Sequence, residues 1–168
     1  IDRDAIFASS KKEVVALDRK SGVVKWRHDA LQTPSAGPIR VGERLVAPLY
    51  DHLAQLDAKT GKALSVTKFN DEISGPLIPA PPDAVWALLG SDQLVQVHLP
   101  TGEIKYKTER LTGIHWPTVA TPGALIASFP GRRPKVGFFD PSGSDRPRFL
   151  QSGSNPVLLR PDFQAIVH

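Results

Sequence analysis

Short apolar runs and polar breaks alternate along the chain, and the stretch from Gly37 to Phe69 shows the pattern most clearly. It opens with Gly37-Pro38-Ile39-Arg40-Val41 and turns at Gly42-Glu43. Leu45 to Leu49 is a second apolar run, broken by Tyr50-Asp51-His52. Leu53-Ala54-Gln55-Leu56 is a third, leading into Asp57-Ala58-Lys59-Thr60-Gly61, after which alternation resumes from Lys62 to Phe69. Runs of about five residues with period-two patterning, separated by turn formers, predict antiparallel strands. Sixteen Pro and thirteen Gly would interrupt a long amphipathic helix in most places, and no stretch offers a convincing one.

The same pattern recurs four times. A turn-forming Gly stands at Gly22, Gly61, Gly102 and Gly143, spaced by 39, 41 and 41 residues. A Pro opening an apolar run stands at Pro38, Pro76, Pro117 and Pro156. An apolar triplet ending in Ala recurs as Ile6-Phe7-Ala8, Leu45-Val46-Ala47, Val85-Trp86-Ala87 and Leu125-Ile126-Ala127. Three independent markers on one period identify a repeat architecture.

The turn between the third and fourth runs has a chemical explanation. Gly accepts the positive φ that a bulged hairpin turn requires. An Asp at its start can accept hydrogen bonds from the backbone N–H groups that follow. Asp18 and Gly22, Asp57 and Gly61, and Asp140 and Gly143 supply these structural turn residues, the last turn being one residue shorter. The third copy, His98 to Gly102, has His in place of the Asp, which is read as a drifted turn residue and not as a metal ligand.

Four antiparallel strands per forty residues are the signature of a β-propeller blade. One blade cannot bury both faces alone, so neighbours must stack. The expected fold is therefore all-β, with about four four-stranded blades. Their approximate limits are 1–34, which lacks a first strand, then 35–73, 74–114 and 115–153, with 154–168 starting a further blade. Trp26 and Trp86 are expected to pack between blades. The chain does not begin with Met, and both ends fall inside blades. A supply of one first strand and a surplus second strand argues against a closed four-bladed ring. The expectation is a part of a larger ring of up to eight blades, completed by the same longer chain or, alternatively, by a second copy.

The segment Val15-Ala16-Leu17-Asp18-Arg19-Lys20-Ser21-Gly22-Val23-Val24-Lys25-Trp26 resembles the pyrroloquinoline-quinone-like propeller repeat, in which Leu-Asp-x-x-Thr/Ser-Gly is followed by Trp four residues after the Gly. The second copy matches through Gly61 but has Ser65 at the Trp position, and the third has Tyr106 there. One branch of the family, the quinone-dependent dehydrogenases, needs an Asp base, metal-binding carboxylates and usually a vicinal Cys pair. This chain has no Cys. The other branch binds partners without catalysis and includes the propeller lipoprotein of outer-membrane barrel assembly and sensor domains of bacterial kinases. Resemblance to that branch implies a non-enzymatic protein-binding scaffold, extracytoplasmic and in the bacterial envelope, although the residues alone leave a cytoplasmic location open. A ligand-sensing domain of a larger receptor or kinase, and a dehydrogenase fragment, are the alternative readings.

Composition narrows the chemistry. With 40% hydrophobic and 23% charged residues, the 168-residue chain has an ordinary globular composition. No apolar run reaches the roughly eighteen residues of a membrane-spanning helix. A net charge of +4 without an aromatic stacking platform gives no reason to expect nucleic acid. The five His show no i, i+4 pairing suited to zinc. No nucleophile elbow, phosphate loop or dinucleotide-binding glycine triad is present. No catalytic residue, metal or cofactor is therefore proposed. Loops on a rigid scaffold carry function more often than strands do. The loops joining strands two to three and four to one share one ring face, and from them the candidate partner-binding residues are Lys11, Lys12, Tyr50, His52, His115, Trp116, Arg132 and Arg133.

Overall fold

A computed structural model describes residues 4–80 and 82–111 throughout and, beyond them, the backbone of six strands. Seventeen strands follow one another with no helix among the described residues. The first sheet contains β1 (Ala5–Ser9), β2 (Glu13–Asp18) and β3 (Val24–Asp29). The second contains β4 (Ile39–Val41), β5 (Arg44–Leu49), β6 (His52–Asp57) and β7 (Ala63–Lys68). The third contains β8 (Ile78–Ala80), β9 (Ala84–Leu89), β10 (Gln93–His98) and β11 (Glu103–Lys107). A fourth sheet follows from β12 (Pro117–Thr121), β13 (Ala124–Phe129), β14 (Lys135–Phe139) and β15 (Arg148–Gln151). Finally β16 (Leu158–Leu159) pairs with β17 (Ala165–Ile166).

Each sheet is an antiparallel meander in chain order. Short β4 and β8 lie beside each other, and β8 lies beside β12, so the first strands form the inner row and the fourth strands the outer edge. A bulge recurs where the third strand meets the fourth, between Ala16 and Leu17, Gln55 and Leu56, and Gln96 and Val97. The repeat in the sequence is thus a repeat in register as well as in turns.

Strand alternation separates two buried layers. Leu45, Ala47 and Leu49 of β5 join Val14, Ala54, Leu56 and Ala58 between the first and second sheets, with Phe7 and Trp26 against them. Val46 and Leu53 turn the other way, to Val85, Ala87, Leu89, Val95 and Val97 of the third sheet. Trp86, Leu94 and Tyr106 form the opposite face of that third sheet. Both faces of the second and third sheets are consequently buried, which is why β5, β6, β9 and β10 read as nearly continuous apolar runs. Burial of each Val or Leu side chain here contributes about 1.5–3 kcal/mol before the entropy of ordering is subtracted.

Trp26 connects neighbouring sheets in a specific way. Its indole lies over Gly61 of the next sheet, and its Nε1–H donates to the Ala58 carbonyl at 3.2 Å. A Cβ at Gly61 would sit 2.5 Å from Trp26 Cε3, so only glycine fits beneath the ring. Gly61 also has φ of +73°, a conformation that favours glycine independently of the close approach. In the next copy Thr67, and not Ser65, makes the corresponding contact, donating from Oγ1 to the Gly102 carbonyl at 3.3 Å.

The turns follow the Asp–Gly logic. Asp18 Oδ1 accepts from Ser21 N at 2.9 Å, Lys20 N at 3.1 Å and Ser21 Oγ at 2.9 Å. Asp57 Oδ1 accepts from Thr60 N at 2.7 Å, Lys59 N at 3.1 Å and Thr60 Oγ1 at 2.7 Å. Hydrogen bonds from Ser21 at the first turn, and from Thr60 at the second, hold both carboxyls below their usual range. Gly22, Gly61 and Gly102 each donate back to the carbonyl four residues earlier at 2.8 Å. His98 keeps part of the arrangement: its Nδ1 lies 3.0 Å from Thr101 Oγ1, and its Nε2 lies 3.2 Å from Asp83 Oδ2. Asp140 and Gly143 lie outside the described residues.

Candidate functional site

Backbone hydrogen bonds gather the loops joining strands two to three and four to one at one end of each of the first three sheets. Ala30 N donates to Lys12 O at 2.8 Å, Phe69 N to Asp51 O at 2.8 Å, and Leu111 N to Asp92 O at 2.6 Å. The fourth-to-first connections also pair with the next sheet, through bridges Pro34–Leu49 and Ile73–Leu89. Loops held to two sheets are rigid platforms for side chains, and this is the face that holds Lys11, Lys12, Tyr50 and His52.

Lys11 and Lys12 occupy the β1–β2 turn, exposed and with no side-chain partner among the described residues. With Asp29, Ala30, Leu31, Gln32 and Thr33 they line a shallow groove of about 370 Å³. Leu31 is 90% exposed in this groove. Sequence reasoning missed it, because one apolar residue in a polar loop has no periodicity to mark it.

Tyr50 lies in the β5–β6 turn, next to Asp51, whose carboxylate accepts a hydrogen bond from Gln32 of this groove. Its φ is +45°, and Gly90 fills the equivalent place in the β9–β10 turn with φ of +56°. A left-handed conformation costs a non-glycine residue about 1–2 kcal/mol. Tyr50 is 54% exposed, and its hydroxyl has no partner among the described residues, so the fold gains no hydrogen bond from it. Strained, exposed side chains of this kind cluster at functional sites.

His52 Nδ1 contacts the neighbouring Asp51 Oδ1. Partial burial opposes ionisation of Asp51, but hydrogen bonds from His52 and Gln32 outweigh it and hold the carboxyl below its usual range. Gln32 thereby links the groove to the Tyr50 turn. At the next junction Arg110 Nη2 donates to Asp71 Oδ2 at 2.8 Å, and its Nη1 to Asp92 Oδ1 and Oδ2 at 3.1 and 3.0 Å. Hydrogen bonding to Asp92 leads the effects that raise the guanidinium pKa, so the bridge stays charged. These three side chains are 39 residues or fewer apart from one another in sequence but carry no motif that marks them as a group.

The structure therefore brings Lys11, Lys12, Tyr50 and His52 to one face near one junction. His115, Trp116, Arg132 and Arg133 lie outside the described residues. On the opposite face, a groove of about 680 Å³ between the first two sheets is lined by Trp26, Lys25 and Lys59 and by Glu43 and Asp57. Among the described residues no three His, Cys, Asp or Glu side chains converge to hold a metal.

No protein-family model matches the sequence, and no curated protein matches it significantly. Solved structures do. BamB from Moraxella catarrhalis superimposes with a TM-score of 0.73 at 18% identity, covering 92% of this chain and 47% of that one. The fold is a β-propeller. Hydrazine synthase of Kuenenia stuttgartiensis gives 0.69 at 18% identity, with 96% and 51% covered. The computationally designed Ika8 protein gives 0.72 at 13% identity, with 94% and 49% covered. The chain spans about half the length of each of these proteins. An enzyme, a designed protein and BamB on one architecture show that the fold leaves the activity open.

Proposed function

We propose that this chain is part of a non-enzymatic scaffold that holds a protein partner on the loop face around Tyr50. The observation that carries the proposal is Tyr50 itself, kept exposed in a strained turn whose Asp51 is tied through Gln32 to the groove of Lys11, Lys12 and the exposed Leu31. Tyr is among the residue types enriched at binding hot spots, and lysines at a rim steer association more than they tighten it. In this reading, Lys11, Lys12 and His52 flank the anchor, and His115, Trp116, Arg132 and Arg133 extend the same face further round the ring. The blades run 1–34, 35–73, 74–114, 115–153 and 154–168. They belong to a ring of up to eight, completed by the same longer polypeptide. Resemblance to the quinone-like repeats supports an extracytoplasmic setting and a role in envelope assembly.

Site-specific photo-crosslinking in the intact protein tests this. A crosslinker at position 31 or 50 should capture one reproducible partner, whereas one at Lys59 on the opposite face should not. The combined variant Lys11→Ala, Lys12→Ala, Tyr50→Ala should weaken that partner's binding at least about ten-fold without lowering the melting temperature. Equal crosslinking from both faces, or unchanged affinity, refutes the proposal. The ligand-sensing alternative is favoured by one observation: the 680 Å³ groove lies within the usual size of small-molecule sites. Capture of a small molecule there, lost on Lys59→Ala, would support it instead.

A further inference from the structure

Of the eight large hydrophobic residues exposed among the described residues, five lie on the outer strands or just before them: Val23, Val24, Leu64, Val66 and Ile104. The three outer strands whose side chains are described, β3, β7 and β11, differ in charge. On β3, Arg27 is paired with Glu13 and the strand ends in Asp29; on β11, Glu103 is paired with Lys105. The stretch from Lys59 to Lys68, which contains β7, holds no acidic residue. Lys62 and Lys68 bracket its apolar centre, and neither ammonium has a partner among the described residues.

We propose that the outer edge of β7 is a docking site for an extended peptide strand with acidic residues at both ends and apolar residues between them. β7 has β6 on one side and, among the described residues, no strand on the other. Val66 lies opposite Ala54 and Lys68 opposite His52, placing both on one face, while Ser65 and Thr67 turn to the next blade. Leu64 and Val66 are 48% and 52% exposed. An incoming strand would gain main-chain hydrogen bonds from the free edge, with specificity from alternate side chains. Lys62 and Lys68 are about 20 Å apart along an extended strand, which sets the spacing of the acidic groups. Charge also selects the occupant. Antiparallel pairing of two β7 edges would set Lys62 of one copy against Lys68 of the other, so a second copy is repelled and an acidic-ended strand is attracted.

The test uses the full chain and two synthetic peptides, Glu-Thr-Val-Thr-Val-Thr-Glu, whose acidic and apolar side chains share one face, and the same sequence with Lys at both ends. The acidic-ended peptide should bind at least about ten-fold more tightly, and the preference should fall with salt. Hydrogen exchange should show new protection confined to amides 63–68. Combined Lys62→Glu and Lys68→Glu should reverse the preference. Single Lys68→Gln should reduce it part-way, which keeps the test decisive if the double variant fails to fold. Equal binding of both peptides, protection on β3 or β11 instead, or self-association of the peptide-free chain through β7 overturns the proposal. None of these outcomes depends on the loop-face reading.

Discussion

Replacing Gly61 with Ala tests how one blade is locked to the next. Two separate costs attach to that methyl group. At φ of +73° the substitution loses about 1 kcal/mol in backbone conformation. The new Cβ would also meet Trp26 Cε3 at 2.5 Å and Cδ2 at 2.6 Å, against ordinary contacts of about 3.5–4 Å between carbons. Relief requires the indole to lift by about 1 Å, which strains or breaks its 3.2 Å hydrogen bond to the Ala58 carbonyl, worth about 1 kcal/mol. Lost packing around the ring adds a similar amount, for a total of about 2–4 kcal/mol. Gly22 is the internal control. It has nearly the same φ, +71°, but nothing lies within 4 Å of its would-be Cβ, so Gly22→Ala should cost only about 1 kcal/mol. Urea denaturation followed by tryptophan fluorescence and circular dichroism measures both. The double variant Gly61→Ala, Trp26→Ala should recover the steric part as a coupling energy of about 1–3 kcal/mol. Equal costs at Gly22 and Gly61, or no coupling with Trp26, would refute the lock.

Three further outcomes are expected. Asp18 and Asp57 have lowered carboxyl pKa values in the folded chain, so their contribution is present above the ordinary carboxylate range and is lost as pH falls through the folded values. Asp18→Asn with Asp57→Asn should therefore flatten the acid limb of a stability profile, and an unchanged limb would count against these turns. Tyr50→Gly should relieve the left-handed strain and stabilise the chain by up to about 1 kcal/mol in the same denaturation assay while weakening partner capture; destabilisation would show that the ring serves packing after all. Ser65 Oγ and Gln55 Nε2 are buried without a partner among the described residues, on facing positions of β7 and β6. Ser65→Ala should leave stability unchanged or raise it by about 1 kcal/mol, and a loss of more than that would reveal a hydrogen bond the hydroxyl makes.

Much of the fold was legible before any coordinates, because turn chemistry and period-two alternation are local. The markers at Gly22, Gly61 and Gly102, with Asp18 and Asp57, report conformations that neighbouring residues decide among themselves. Trp26 was legible as packing between blades, but its seat on Gly61 was not, since the two residues are 35 positions apart and belong to different sheets. The exchange of Ser65 for Thr67 as the residue touching the next turn escaped the motif for a related reason. The motif counts along one strand, whereas the contact depends on how two sheets face each other.

The candidate site divides in the same way. Lys11, Lys12 and Tyr50 could be ranked from the sequence because turn residues between strands two and three must be surface residues, whereas His52, expected in the same turn, is the first residue of β6 and is half-buried. Their chemical character could not be ranked further. The positive φ of Tyr50 is visible only in the folded turn, and the exposure of Leu31, the Asp71–Arg110–Asp92 bridge and the lack of partners for Lys62 and Lys68 among the described residues emerge only once sheets are stacked.

The sequence by itself determined strand order, turn type and the repeating unit, because each depends on residues within a few positions of one another. Tertiary structure alone decided which apolar side chains are buried between sheets, which remain on the rim, and which charges find partners. Those outcomes depend on distances between residues some forty positions apart, and an alternating pattern of polar and apolar residues contains no measure of such distances.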